Sequence, residues 1–234
     1  MAQSSPAPPA LDDARRRASE ASGGTSNDAI YAAILRALEE FRAEGPILDF
    51  GAGTGTLTRK LLTSARFESV TAADLMDRPT DLSAAWIRAD LNHPLPMPDS
   101  SFQTIVAAEV IEHLENPRAM ARELFRLLTP GGLAVISTPN NESWRSLISL
   151  AVRGHYIAFL DGSYPAHITA LVRQDLGRIL TEAGFEVPAF RFTDCGGIPG
   201  KPTISWQKIS AGGLRGLRFS DNLLAITRKP GARP

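Results

Sequence analysis

Glycines and acids stand where this chain could hold a ligand. The stretch "ILDFGAGTGTLTRKL", residues 47–61, places Gly51, Gly53 and Gly55 between a short apolar run and a helix-like segment. A turn so bare of side chains lets a ligand approach the backbone closely. Counted from Gly51, the dinucleotide fingerprint G-x-G-x-x-G needs a glycine at position 56, where the chain has Thr56, and the Walker triplet G-K-[ST] does not occur in the turn. Asp74 ends the run "VTAAD", a place from which a carboxylate can accept both hydroxyls of a ribose; it could also serve as a turn or capping acid. Asp90, in "WIRADL", can accept from an exocyclic adenine amine or close a surface turn. Glu109 ends "VAAE" and faces the same edge. With Asp49 these make four acidic strand ends, which suit a ligand that carries hydroxyls and positive charge but no phosphate.

Histidines supply the second kind of chemistry, because their side chains titrate near neutral pH and can take a proton from an acceptor. His113 follows Glu109 by four residues, so a helical turn starting there puts both on one face. His167 closes "YPAHIT"; His155 is a further candidate, and His93 in "NHPLP" reads as a turn residue. Pinning a loop is the competing role for His113, and anchoring a lid for His167. Trp144, Tyr156, Phe159 and Tyr164 could line an apolar acceptor pocket, although aromatics at such spacing also serve as core. No carboxylate and histidine spacing argues for a catalytic metal.

The elements that must position these groups are legible as periodicity. "DAIYAAILRALEEF" puts Ile30, Ala33, Ile34, Ala37, Leu38 and Phe41 on one helical face behind a cap at Asn27 or Asp28. Apolar runs of strand length follow at Ile47 to Phe50, Ser69 to Ala73, Trp86 to Ala89, Gln103 to Ala108 and Leu133 to Thr138. "PRAMARELFRLL" is a helix with Asn116 as cap and Pro117 at its first position. "RQDLGRILTEAGFEV" predicts a helix closed by Gly184 and a strand near Phe185 to Phe192, and a last strand spans about Asn222 to Thr227. Strands alternating with helices imply an α/β fold with a parallel sheet and helices on both faces. Residues 1–26, rich in Pro, Ala, Ser and charge, read as a flexible tail, with one domain over 27–230. The segment at about 141–168 is too long for an ordinary connection and is expected to act as an inserted lid with substrate contacts.

Composition limits the function classes. Of 234 residues, 43% are hydrophobic and 21% charged, the make-up of a domain with a sizeable core. Lys+Arg 25 balances Asp+Glu 25, so no long-range field favours nucleic acid or an anionic membrane. The basic residues Lys201, Lys208, Arg215, Arg218, Arg228, Lys229 and Arg233 could meet an anionic acceptor, although a solvated face with a frayed tail is the preferred reading. Cys195 is the only cysteine, which excludes an intrachain disulfide; with no apolar membrane-length stretch and no signal-like start, the cytoplasm is the expected location.

Taken in order, "LDFGAGTG", Asp74, "ADLNHPLPMPDSSFQTIVAAEVIEHLENPRAMARELFRLLTPGGLAVISTPN" and "AHITALVRQDLGRILTEAGFE" resemble the class I S-adenosylmethionine-dependent methyltransferases. Within that superfamily the chain is similar to the small-molecule branch that includes the ubiquinone-biosynthesis O-methyltransferases. The likeness covers roughly residues 45–192; Gln103, where many relatives have Asp, is a departure at a strand start. The resemblance implies a Rossmann-like, doubly wound, mostly parallel seven-stranded sheet and S-adenosyl-L-methionine as cofactor. Gly51, Ala52 and Gly53 would line its methionine part, Asp74 its ribose, and Asp90 with Leu91 its adenine, with Leu75 a further cofactor contact. Asp49 and Glu109 complete the expected set, and His167 and His113 are the expected catalytic residues. The implied acceptor is a small molecule methylated on oxygen, with a glycan, a lipid-linked molecule or a phenol as the classes in view. Two competing readings are an NAD-type oxidoreductase, disfavoured by Thr56, and a protein that binds the nucleoside without transferring methyl or that scaffolds a partner.

Overall fold

The computed structural model describes residues 23–231. Six helices and nine strands are assigned among them. The strands are β1 (Ile47–Phe50), β2 (Val70–Asp74), β3 (Ala85–Arg88), β4 (Phe102–Ala108), β5 (Leu128–Pro139), β6 (Ala189–Phe192), β7 (Gly197–Ile198), β8 (Lys201–Ser205) and β9 (Asn222–Arg228). The helices are α1 (Asp28–Glu40), α2 (Thr56–Leu62), α3 (Pro117–Leu127), α4 (Trp144–Arg153), α5 (Arg173–Glu182) and α6 (Trp206–Ile209). Seven strands form one sheet in the order β3-β2-β1-β4-β5-β9-β6. All neighbours are parallel except β9, which runs antiparallel to both β5 and β6. The doubly wound, mostly parallel seven-stranded sheet expected above is therefore the fold.

Strand alternation divides the core into two layers. Leu48, Phe50, Ile105, Ala134, Ile136 and Ala225 belong to one apolar cluster, whereas their neighbours Ile47, Val106, Leu133, Val135, Leu224 and Ile226 belong to the other. Successive residues of a strand point to opposite faces, so near-continuous apolar runs are what a sheet covered on both sides requires. The helix α1 closes one layer through Ile30, Ile34, Ala37 and Leu38, and Asn27 caps it by accepting from the Ile30 N–H at 3.0 Å. The helix α3 packs on the other layer, with Asn116 accepting from the Ala119 N–H and Pro117 at its first position, as the spacing predicts.

Several boundaries differ from expectation for identifiable reasons. The strand β5 starts at Leu128 rather than 133, because Leu128 already pairs with Phe102 across a register shift. The strand β6 is confined to Ala189–Phe192, since Pro188 has no N–H to give the ladder. A β7–β8 ribbon followed by α6 occupies the stretch before β9, where periodicity gave no signal. The inserted segment contains α4 and short 3₁₀ turns instead of an irregular loop. Of the expected tail, residues 1–22 lie outside the described residues; Gly24 packs against the glycine turn, as described below. No helix among the described residues is long and apolar enough to cross a membrane.

Candidate active site

The sheet order reverses between β1 and β4, and the crevice beyond their carboxyl ends is where open α/β sheets hold ligands. A cavity of about 520 Å³ opens there, within the range of small-molecule sites. Every expected cofactor residue lines it: Asp49, Gly51, Ala52, Gly53, Asp74, Leu75, Asp90, Leu91 and Glu109. His113, His167 and Tyr164 line it as well.

Glycine is required in the turn by the protein's own packing. Gly51 has φ +85° and a Cβ there would lie 2.3 Å from Val110 Cγ2; Gly53 has φ +53° and a Cβ there would lie 2.1 Å from the Gly24 carbonyl oxygen. That oxygen accepts from the Thr54 N–H at 2.9 Å and from its hydroxyl at 3.2 Å. Ser26 N–H donates to the Tyr31 hydroxyl at 2.8 Å. Gly24, Thr25 and Ser26 are thus part of the cavity wall, a role the Gly/Ser composition of the stretch concealed.

Asp74 anchors the turn. Its Oδ2 accepts from the Gly53 N–H and its Oδ1 from the Met76 N–H, both at 2.8 Å. The turn-acid role and the ligand role are compatible, since a carboxylate has about four lone-pair sites and two remain. Asp90 accepts through Oδ1 from the Asn92 N–H and amide, so it too holds a turn at the cavity edge. Asp49 is fully buried; its Oδ2 accepts from the Thr58 hydroxyl at 2.6 Å, while Oδ1 has no hydrogen-bond partner among the described residues. Burial pushes its carboxyl up to about 7, with the Asp74 charge adding to the shift and the Thr58 bond opposing it.

Glu109 adopts φ +55°, which turns the chain just before a 3₁₀ turn at Ile111–His113. It therefore does not share a helical face with His113, contrary to the spacing argument, although both side chains reach the cavity. Its Oε1 accepts from the Ser137 hydroxyl at 2.8 Å and its Oε2 from the Asn222 amide at 2.7 Å. Burial raises its carboxyl to about 7 against the pull of these bonds. His113 Nδ1 lies 2.8 Å from the Ala166 carbonyl oxygen, and His167 Nδ1 lies 2.7 Å from that of Ala158. Their rings meet edge-on with centroids 4.8 Å apart. Burial lowers His113 to about 4 and lowers His167 as well, so both imidazoles are neutral at physiological pH.

Other expectations are not met. His155 is exposed on the far part of the inserted segment, and of the four aromatics proposed for the acceptor pocket only Tyr164 lines the cavity. Trp144 lies under the Arg218 guanidinium, and Phe159 packs on the His167 ring. The basic C-terminal residues do not gather into an anion site: Arg228 and Lys229 donate to main-chain carbonyls of Gly131, Phe41, Phe125 and Leu128, and Arg218 to that of Glu142. Arg233 lies outside the described residues. Where no metal-ligand spacing was visible, the fold brings one ligating atom each of Glu112, His113 and His167 within 4.8 Å of one another. Glu112, adjacent to His113 in "EVIEHL", was the only local signal for that cluster, and Gly24, Ser137 and Asn222 gave none.

The family described as "Methyltransferase domain" matches residues 23–189. The chain is 33% identical over 165 residues to a malonyl-[acyl-carrier protein] O-methyltransferase of Halorhodospira halophila, covering 66% of this chain and 53% of that protein. It is 26% identical over 153 residues to a ubiquinone biosynthesis O-methyltransferase of Psychrobacter arcticus, covering 59% of this chain and 58% of that one. The chain spans about half the length of the curated relatives it matches. Its fold superimposes with a TM-score of 0.61 on a Burkholderia thailandensis 1,6-didemethyltoxoflavin-N1-methyltransferase, solved with bound 1,6-didemethyltoxoflavin and S-adenosylhomocysteine, at 17% identity and covering 98% of this chain and 93% of that one.

Proposed function

The chain belongs to the S-adenosylmethionine-dependent methyltransferases, and from that premise we propose that it methylates an oxygen atom of a small molecule. One observation carries this reading: a single cavity is lined by the glycine turn with Asp49 and Asp74 and also by His113, His167 and Tyr164. The residues fit the cofactor. The buried Asp49 Oδ1 has no hydrogen-bond partner among the described residues, which suits a donor-bearing cationic group, and Asp74 keeps two lone-pair sites for hydroxyls. Residues 51–53 would border the methionine part, Asp74 and Leu75 the ribose, and Asp90 with Leu91 the adenine. Glu109 lines the same cavity.

When bound, S-adenosyl-L-methionine supplies a methyl group already activated on a sulfonium, so the protein's work is to orient the acceptor and exclude water. The neutral imidazoles serve the acceptor. Each Nδ1 faces a carbonyl, which can only accept, so each Nδ1 carries the hydrogen and each Nε2 keeps a lone pair for the acceptor's hydroxyl proton. His167 is the nearer choice for that proton, since it lies on the inserted segment; His113 is held beside it. The inserted segment over about 141–168 is read as the acceptor-side lid of a domain spanning 27–230. Oxygen as the acceptor atom is supported by the O-methyltransferases among the relatives, and phenolic, glycan and lipid-linked acceptors remain the classes to test. The lone cysteine supports a cytoplasmic setting.

Incubation with methyl-deuterated cofactor and a panel of phenols, carboxylic acids, sugars and amines, followed by mass spectrometry, tests the reading. Labelled O-methyl product with stoichiometric S-adenosylhomocysteine is expected. Cofactor binding without turnover on any acceptor would leave a nucleoside-binding protein instead.

A further inference from the structure

We propose that Arg36 and Arg215 hold a phosphoryl group in a second cavity, on the flank of the sheet between α1, the edge strand β6 and the turn at 215–216. This cavity measures about 460 Å³, and its charged lining is Arg36 and Glu40 of α1, Arg191 of β6, and Asp194 and Arg215 beyond that strand. It shares no lining residue with the cofactor cavity.

Local rules place the cations there. Ala33, Arg36, Ala37 and Glu40 recur at helical spacing and share one face of α1, where the two alanines are short enough to leave room between the charged side chains. Between Asp194 and Asp221 the chain has Lys201, Lys208, Arg215 and Arg218 and no acid, a local excess in a sequence of zero net charge. Of these four only Arg215 lines the cavity. Asp194 fixes the turn that carries it: its Oδ1 accepts from the Gly216 N–H at 2.8 Å, and its own N–H donates to the Ser220 hydroxyl at 3.1 Å.

Counting donors separates a structural arginine from two that are unspent. Arg191 donates from Nε to both carboxylate oxygens of Glu40 at 3.2 Å, from Nη2 to Glu40 Oε1, and from Nη1 to the Phe190 carbonyl at 3.0 Å. These bonds hold the Glu40 carboxyl below its usual range, so the pair stays ionised and ties α1 to β6. Arg215 spends only Nε, on the Gly212 carbonyl at 2.6 Å, and Arg36 has no hydrogen bond or ion pair among the described residues. Both keep their Nη groups for a ligand.

A guanidinium presents its N–H donors as a planar fork that matches the oxygens of a phosphoryl group, and two such forks face this cavity. Asp194 Oδ2 accepts no hydrogen bond among the described residues and can take a hydroxyl hydrogen of the same ligand. The volume is in the range of small-molecule sites, so it has room for the body of a phosphorylated compound as well as for its phosphoryl group. S-adenosyl-L-methionine carries no phosphate, which makes this a site for a different ligand.

Titration of the full chain with inorganic phosphate and with a hexose phosphate, by calorimetry and by amide chemical shifts, tests the site without cofactor or acceptor. Saturable binding at one site per chain is expected, with the Gly216 and Ala37 amides shifting. Affinity should fall roughly 10-fold or more in Arg36→Gln and in Arg215→Gln. It should be unchanged in Arg153→Gln, an exposed arginine outside the cavity. Arg36 and Arg215 are exposed, so both variants should fold. Tighter binding of the hexose phosphate supports a phosphorylated small molecule as the ligand, and equal binding supports the free ion in the same site. Absence of saturable binding, equal affinity in wild type and both variants, or shifts confined to the glycine turn at 51–55 would overturn it.

Discussion

Replacing Asp74 by alanine should damage the fold and the ligand site together, by amounts that can be separated. Asp74 accepts two backbone hydrogen bonds of 2.8 Å, from Gly53 in the turn and from Met76 beyond β2. Hydrogen bonds to a charged group contribute about 1.5–3 kcal/mol each, so losing both costs ~3–6 kcal/mol, against a typical total stability of ~5–15 kcal/mol. With a urea m-value of ~2 kcal/mol/M, the unfolding midpoint should fall by ~1.5–3 M while the chain still folds. Trp86 donates to the Met76 carbonyl at 3.1 Å, so its fluorescence reports the same segment during the titration. Asp74→Asn should recover only part of the loss, because its amide presents one carbonyl oxygen and one NH₂ to two N–H groups. The ribose contact is isolated by measuring wild type and Asp74→Ala with the cofactor product and its 2′,3′-dideoxy analogue. A coupling energy of about 1.5–3 kcal/mol is expected for a direct charged contact. A midpoint that shifts by less than ~0.5 M would refute the anchoring role, and zero coupling would reduce Asp74 to an anchor of the turn.

Three further outcomes are expected. Asp49 holds its proton up to about pH 7 in the folded chain against 3.8 for an ordinary aspartate, so folding takes up a proton between those values and stability falls as pH rises through that window, by up to ~4 kcal/mol at about 1.36 kcal/mol per pH step of one. Asp49→Asn keeps the shape, cannot ionise beside Asp74, and should flatten that slope in urea titrations from pH 5 to 8; an unchanged slope would assign it to other groups. Gly53→Ala should weaken S-adenosylhomocysteine binding by pushing Gly24 away, at a conformational cost of about 1–2 kcal/mol for the left-handed backbone, and limited proteolysis should cleave near residues 23–27 faster than in wild type; equal cleavage and equal affinity together would dismiss the packing of that segment. With the true acceptor, His167→Gln should lower kcat by roughly 10²–10⁴-fold at near-constant cofactor affinity, whereas a change confined to KM would make His167 a lid anchor.

What could be read from the sequence follows the distance over which each feature is decided. The helix α1, the strand β1 and the Asn116–Pro117 cap are local, set by periodicity and by residue types within one or two turns, and they fall where the spacing puts them. Glycine at 51 and 53 was legible as a demand for bare backbone, but the reason was not: the atoms that a Cβ would strike belong to Val110 and Gly24, far along the chain or in a stretch whose composition resembled a tail. The acids were legible as strand ends, yet their chemistry depends on which lone pairs the fold consumes. Asp74 and Glu109 spend theirs partly on Gly53, Met76, Ser137 and Asn222, pairings that spacing along the chain does not assign. The cluster of Glu112, His113 and His167 escaped the search for spacing because His167 reaches the other two only through the inserted segment's return to the sheet edge.

Once those partners are counted, the unspent oxygens locate the chemistry. Among the described residues three buried carboxylate oxygens lack a hydrogen bond: Asp49 Oδ1, Glu112 Oε1 and Asp221 Oδ1. The Asp221 carboxylate is already paired with Arg145 at 2.7 Å, so its charge is compensated within the protein. Asp49 and Glu112 have no such cation; one lines the cavity at the glycine turn and the other stands beside the two imidazoles. A buried charge without a partner must either stay protonated or meet a cation from outside the chain. The position at Asp49 therefore asks for a positive ligand from outside the chain, a role the cationic nucleoside would fill. Binding there should displace a proton from the Asp49 carboxyl, so calorimetry in buffers of different ionisation enthalpy should detect proton release on titration with S-adenosylmethionine that disappears in Asp49→Asn and persists in His167→Gln.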